Sequence, residues 1–189
     1  MKDGEIEIRL SGTGGQGLIL AGVILAEAAN IAGKYVVQTQ SYGPEARGGA
    51  SRAEVIISND PIEFVMVEEA DIFLALSAEA YLKYCYNVKS RGIIVIDDTI
   101  NPKLYRTKVN VFPILSTAQE KLGREIVANI VALGALVAIT NLLDYSYLEE
   151  ALQKHVPPHT IDLNVKALQE GWALGQERLQ TEEVEKVEK

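Results

Sequence analysis

Residues Ser11, Gly12, Thr13, Gly14, Gly15, Gln16 and Gly17 form a glycine-rich joint between the alternating run Glu5-Ile6-Glu7-Ile8-Arg9-Leu10 and the apolar stretch at 18–29. A loop of this kind closes a strand and opens a helix, which commits this part of the chain to a βα unit. At such a joint, backbone N–H groups and a helix N-terminus converge where an anion can sit. The N–H groups of residues 13–17 and the side-chain amide of Gln16 are therefore candidates for contact with an anionic group. The same glycines equally serve a tight turn that lets strand and helix pack closely, and both readings stay open at this level. A nicotinamide dinucleotide is disfavoured. The predicted second strand ends in Gln38, Thr39 and Gln40, where the ribose hydroxyls need an acidic residue.

Beyond the loop, short β-branched runs alternate with longer helical patterns. Strands are expected at 6–10, 35–40, 53–58, 72–77, 93–97 and 109–113, and helices at 18–32, 78–87 and 118–143. The rhythm predicts a Rossmann-like three-layer α/β/α domain with a mostly parallel sheet. The runs Ile72-Phe73-Leu74-Ala75-Leu76 and Ile93-Ile94-Val95-Ile96 are apolar throughout, as strands covered by helices on both faces must be. Asn59-Asp60-Pro61 after the third strand favours a turn, so an antiparallel edge hairpin is expected there. A short amphipathic helix at 147–152 is broken by His155-Val156-Pro157-Pro158-His159, and helix resumes over 160–179. The expected organisation is one domain over 1–178 and a charged, flexible tail over 179–189.

Composition excludes several classes of function. A net charge of −8 argues against nucleic acid, whose phosphates need clustered Lys and Arg. The single cysteine, Cys85, can build neither a disulfide framework nor a thiolate cluster for iron–sulfur or zinc. No apolar stretch reaches the roughly 20 residues of a membrane span, and the N-terminal residues lack a signal core, so a cytoplasmic location is expected. At 189 residues and 48% hydrophobic composition, the chain can bury one sizeable core.

The second loop carries more information. Ser41, Tyr42, Gly43, Pro44, Glu45, Ala46, Arg47, Gly48 and Gly49 pack three glycines, a proline and an acid–base pair into one span. Such a loop sacrifices chain entropy without burying apolar surface, which favours a contact role over scaffolding. Arg47 can hold a carboxylate or phosphate bidentately, or pair structurally with Glu45 or Glu54. Arg52 serves the same surface or covers it.

Together, the Gly-Thr-Gly-Gly-Gln-Gly loop and the Ser-Tyr-Gly-Pro-Glu-Ala-Arg-Gly-Gly segment resemble the gamma subunit of 2-oxoacid:ferredoxin oxidoreductases, most of all the 2-oxoglutarate members, over nearly the whole chain. The resemblance implies a subunit of an enzyme that oxidatively decarboxylates a 2-oxoacid with coenzyme A, giving an acyl-CoA, carbon dioxide and reduced ferredoxin. It implies no cofactor on this chain, with thiamine diphosphate, Mg2+ and iron–sulfur clusters on alpha, beta and delta partner subunits. Ferredoxin would be met through the complex, and a homodimer is an open outcome for the isolated chain. Residues 12–17 would contact an anion or coenzyme A. Ser41, Tyr42, Gly43, Pro44, Glu45, Arg47, Gly48 and Gly49 would face a partner and the active site. The competing readings are a stand-alone nucleotide-binding protein and the small subunit of indolepyruvate oxidoreductase.

Other polar residues complete the candidates. Asp97, Asp98 and Thr99 end a predicted strand, where α/β folds place ligands, but Asp98 and Thr99 also suit capping and turn formation. His155 and His159 flank two prolines without a carboxylate cluster and read as surface or capping groups rather than metal ligands. Asn129, inside an apolar helix with Gly134, either reads the backbone of another subunit or is satisfied within the domain. No nucleophile, base and orienter can be assembled, so no catalytic residue is expected on this chain.

Overall fold

The computed structural model describes residues 4–40, 49–102 and 108–187. Strand β1 (Glu5–Thr13) turns its Ile6, Ile8 and Leu10 to one face and Glu7, Arg9 and Ser11 to the other, as a period of two requires. Helix α1 (Leu18–Ile31) follows, then β2 (Tyr35–Gln40) and β3 (Ala50–Ser58). After β4 (Ala70–Ala75), α2 (Ala78–Tyr84) begins at Ser77, whose hydroxyl accepts the Ala80 N–H. Strands β5 (Val88–Asp97) and β6 (Lys108–Phe112) complete a six-stranded sheet in the order β2-β3-β1-β4-β5-β6. Strands β1, β4, β5 and β6 run parallel, as the βα rhythm predicts.

Strand β3 is antiparallel to both of its neighbours, β2 and β1. No strand follows the Asn59-Asp60-Pro61 bend before β4, so the hairpin expected there does not form; β3 instead pairs antiparallel with the preceding β2, as the return strand of a β2–β3 hairpin. The hairpin's return strand slots between β2 and β1 rather than forming the outer edge. Its alternating Ala53, Val55 and Ile57 match α1 and β1 on one face, which fixes the register Ile8↔Val55 and Leu10↔Ala53.

The two faces of the sheet are covered unequally. One carries α1, α4 (Ala128–Thr140), α5 (Tyr145–His155) and α6 (Ile161–Val187), with the larger core of Ile8, Leu10, Ile24, Leu74 and Val95 beneath them. The other carries α2 and the irregular segment around Val67 over Phe73, Ile94 and Ile96, with Tyr81 of α2 packed among them. Helix α4 is buried over almost its whole length. It meets α6 backbone to backbone: a Cβ on Gly134 would lie 2.5 Å from the Leu168 carbonyl, and one on Gly171 would overlap the Val131 carbonyl.

Two expected boundaries shift. The helix expected over 118–143 is divided into a short α3 (Ile114–Ser116), a π-helical turn at Thr117–Lys121 and a 3-10 turn at Glu125–Val127 before α4 begins. Gly123, at a φ of 70°, makes the break. Helix α6 does not end near residue 179 but continues through Val187. Glu182 pairs there with Lys108 on β6 and with Arg178 one turn earlier.

Candidate functional site

Strands β1 and β4 lie side by side and parallel, yet the chain leaves β1 toward one face and β4 toward the other. That divergence opens a crevice beyond their C-terminal ends, the position where doubly wound sheets bind ligands. The glycine-rich loop occupies this point. Leu76, one residue past the end of β4, donates its N–H to the Ser11 carbonyl at 3.0 Å. Gln16 crosses the crevice: Thr13 N–H donates to its Oε1 at 2.7 Å, and its Nε2 donates to the Leu76 carbonyl at 3.4 Å.

Gly12, Gly14 and Gly17 stand at the G-x-G-x-x-G spacing of a dinucleotide loop, but protein groups account for them here. A Cβ on Gly12 would strike Gln16 Oε1, and one on Gly17 would lie 2.6 Å from Asn129 Nδ2. Gly17 also holds a φ of 74° as it caps α1. Asn129, in the first turn of α4, donates its amide to the Gly17 carbonyl at 2.9 Å. Thr13, Gly14 and Gln16 N–H groups are all engaged within the chain, with Gln16 donating to the Thr13 carbonyl at 3.1 Å. Gly15, at a φ of 97°, is the loop residue with open space around its Cα. It and Gln16 line an open cleft of about 200 Å³ with Leu115, Glu125, Ile126 and Ala128.

The second loop converges on the first. Gly14 N–H donates to the Gly49 carbonyl at 3.1 Å, and Ser51 Oγ to the Gly12 carbonyl at 3.4 Å. Ser41, Tyr42, Gly43, Pro44, Glu45, Arg47 and Gly48 lie outside the described residues. Arg52 stacks over the Tyr84 ring at 5.4 Å, and its Nε lies 3.7 Å from Glu54 Oε1. Glu54 itself is taken by Arg9, whose Nε donates to it at 2.7 Å.

The sequence pattern of the pyruvate ferredoxin/flavodoxin oxidoreductase family matches residues 7–174. The chain belongs to that family. Its similar members include the 2-oxoglutarate synthase subunit KorC of Methanocaldococcus jannaschii, 46% identical over 176 residues and covering 90% of this chain and 94% of the relative. The pyruvate/ketoisovalerate oxidoreductases common subunit gamma of Pyrococcus furiosus is 30% identical over 88% of this chain and 95% of its own length. Among solved structures, the gamma subunit of a keto/oxoacid ferredoxin oxidoreductase from Geobacter sulfurreducens superposes with a TM-score of 0.83 at 48% identity, over 91% of this chain and 97% of that one. The 2-oxoglutarate:ferredoxin oxidoreductase of Magnetococcus marinus, solved with 2-oxoglutarate, coenzyme A and succinyl-CoA bound, superposes at 0.82 and 26% identity. There, 93% of this chain matches 32% of the longer one.

The remaining candidates of this oxidoreductase-family chain resolve into structural roles. Asp97 is fully buried, and its two oxygens accept from Thr99 N–H at 3.0 Å and Leu115 N–H at 2.8 Å, so the end of β5 is a turn clamp. The residue that does this is Asp97, not Asp98. Asn129 and Gly134 are both satisfied inside the domain, which answers the alternative of a subunit contact. Among the described residues, no cluster of three His, Cys, Asp or Glu side chains could hold a metal ion. Cys85 is buried and alone, a donor set that does not fit an iron–sulfur cluster. No helix among the described residues is long and apolar enough to cross a membrane.

Two features of the site carry no signal in the sequence. Leu115, Glu125 and Ile126 reach the cleft from about a hundred residues beyond the glycine loop, and nothing in their local pattern distinguishes them. The alternation of Arg9 with Ile8 and Leu10 sets its face but not its burial, and it is only 2% exposed.

Proposed function

We propose that this chain is the gamma subunit of a 2-oxoacid:ferredoxin oxidoreductase acting on 2-oxoglutarate. The complex oxidatively decarboxylates the 2-oxoacid, transfers the acyl group to the thiol of coenzyme A and passes the electron pair to ferredoxin. The observation that carries this reading is the identity gap between two full-length matches: 46% to a 2-oxoglutarate synthase subunit against 30% to a pyruvate/ketoisovalerate one. The alpha, beta and delta subunits of the same enzyme are its partners, and thiamine diphosphate, Mg2+ and the iron–sulfur clusters reside on them. A single cysteine cannot supply the thiolates of an iron–sulfur cluster, which supports placing the clusters on the partners.

Within this assembly the two glycine loops, residues 12–17 and 41–49, face a partner subunit at the coenzyme A end of the active site, with Arg47 as the anion contact. The bond from Gly14 to Gly49 supports treating them as one surface. The test uses the anaerobically purified complex. Wild type is expected to reduce a viologen dye with 2-oxoglutarate and coenzyme A in preference to pyruvate, 2-oxoisovalerate or indolepyruvate. Arg47→Ala is expected to assemble normally and raise the apparent KM for coenzyme A about tenfold. A preference for another 2-oxoacid would overturn the substrate, and an unchanged KM would overturn the site.

A further inference from the structure

The sheet face covered by α2 ends in an unusual surface. On the irregular segment after β3, Phe64, Val65 and Met66 are consecutive and 49%, 49% and 60% exposed. Runs of exposed large apolar residues are absent from ordinary monomer surfaces unless another surface covers them. Tyr86 is 70% exposed, next in sequence to Asn87 as Met66 is to Val67. The buried Arg9 guanidinium brings the two together: it donates to the Val67 carbonyl at 2.7 Å and to the Asn87 carbonyl at 3.2 Å. With Glu54 holding its Nε, the fork fixes the backbone next to Met66 and next to Tyr86. Exposed Asp60, Glu63, Glu68 and Glu69 flank the apolar run in sequence.

We infer that Phe64, Val65, Met66 and Tyr86 form the docking surface for another subunit of the same oxidoreductase, which presents an apolar socket rimmed by Lys and Arg. This rests on the function proposed above. The occupant is chosen because the Magnetococcus enzyme carries the matching domain as 32% of one longer chain, so there the domain is joined to further parts of its own enzyme. The acidic rim selects a basic counterpart and disfavours a second copy, which would set like charges against each other.

The test is anaerobic recovery of the complex on tagged full-length chain from its native cells. The readouts are mass-spectrometric quantities of the thiamine-diphosphate and iron–sulfur subunits and 2-oxoglutarate-dependent dye reduction. A Phe64→Ser, Met66→Ser double variant, with a thermal transition matching wild type, is expected to recover those subunits at least about tenfold less well, since central apolar anchors carry most interface energy. Val184→Ser, altering an exposed apolar residue on α6, is expected to recover them fully. Equal recovery by the double variant overturns the inference while leaving the function intact. Wild-type self-association that the double variant abolishes overturns the choice of occupant. Absence of oxidoreductase subunits from the wild-type eluate overturns the function, and the inference with it.

Discussion

Asn129 Nδ2 donates to the Gly17 carbonyl at 2.9 Å, tying the first turn of α4 to the residue that caps α1. The bond spans two helices far apart in the chain and fixes the left-handed end of the glycine loop. Asn129→Ala is expected to cost about 1–2 kcal/mol of stability. Gly17→Ala is expected to cost about as much again, because an alanine strains at that φ and its Cβ meets the Asn129 amide. In urea denaturation, the double variant should fall short of the sum, since removing the amide relieves the clash. Strict additivity would show that the two residues do not act on each other.

The Arg9–Glu54 pair is buried between β1 and β3, cross-strand partners in register. A desolvated ion pair adds little net stability while intact, but breaking it strands a charge. Glu54→Ala is expected to lose about 3–5 kcal/mol, read from the shift of the denaturation midpoint. A loss below about 1 kcal/mol would mean that water reaches the guanidinium.

Glycine at 171 is demanded by backbone, not by a side chain that can move. Gly171→Ala is expected to destabilise by about 3 kcal/mol or more, because the Cβ overlaps the Val131 carbonyl. Gly33→Ala meets nothing within 4 Å and carries only the strain of its φ of 76°, so about 1 kcal/mol is expected. Thermal unfolding of the two variants should rank them in that order.

Alkaline pH should weaken the fold. Burial pushes Tyr81 and Tyr145 up to about 12. Burial works to lower Lys89, but its hydrogen bond to Asp71 and the charges of Asp71 and Glu7 outweigh it and leave Lys89 raised. All three hold their protons more tightly folded than unfolded, so their contribution is present below the unfolded values near 10 and is lost as pH rises through the folded ones. Denaturation midpoints should fall between about pH 10 and about pH 12, and Tyr145→Phe should make that fall shallower. A midpoint independent of pH in that window would contradict the burial of Tyr81 and Tyr145 and the pairing of Lys89 with Asp71 and Glu7.

How far the sequence leads depends on the range of the interaction. The strand at 35–40 and the helix start at 18 follow from local periodicity and a glycine joint, and the structure has both. The insertion of β3 between β2 and β1 depends on pairing across distant residues, which no local pattern encodes. Gln16 was visible as a polar residue in a loop. That its amide closes the crevice onto Leu76 depends on where β4 lies. For Arg9, alternation reports which residues share a face, not whether that face is wet. The family resemblance succeeded where periodicity ends, since the two glycine loops meet through Gly14 and Gly49 only in the folded chain.

The central claim is that this chain works as the gamma subunit of a 2-oxoglutarate oxidoreductase. Its most direct test is to add purified chain back to a complex made without it, under anaerobic conditions, and follow succinyl-CoA formation from 2-oxoglutarate and coenzyme A. The account predicts that succinyl-CoA formation is restored in proportion to the chain added, up to one chain per complex. A complex fully active without the chain, or one that stays inactive while the added chain binds, would contradict it.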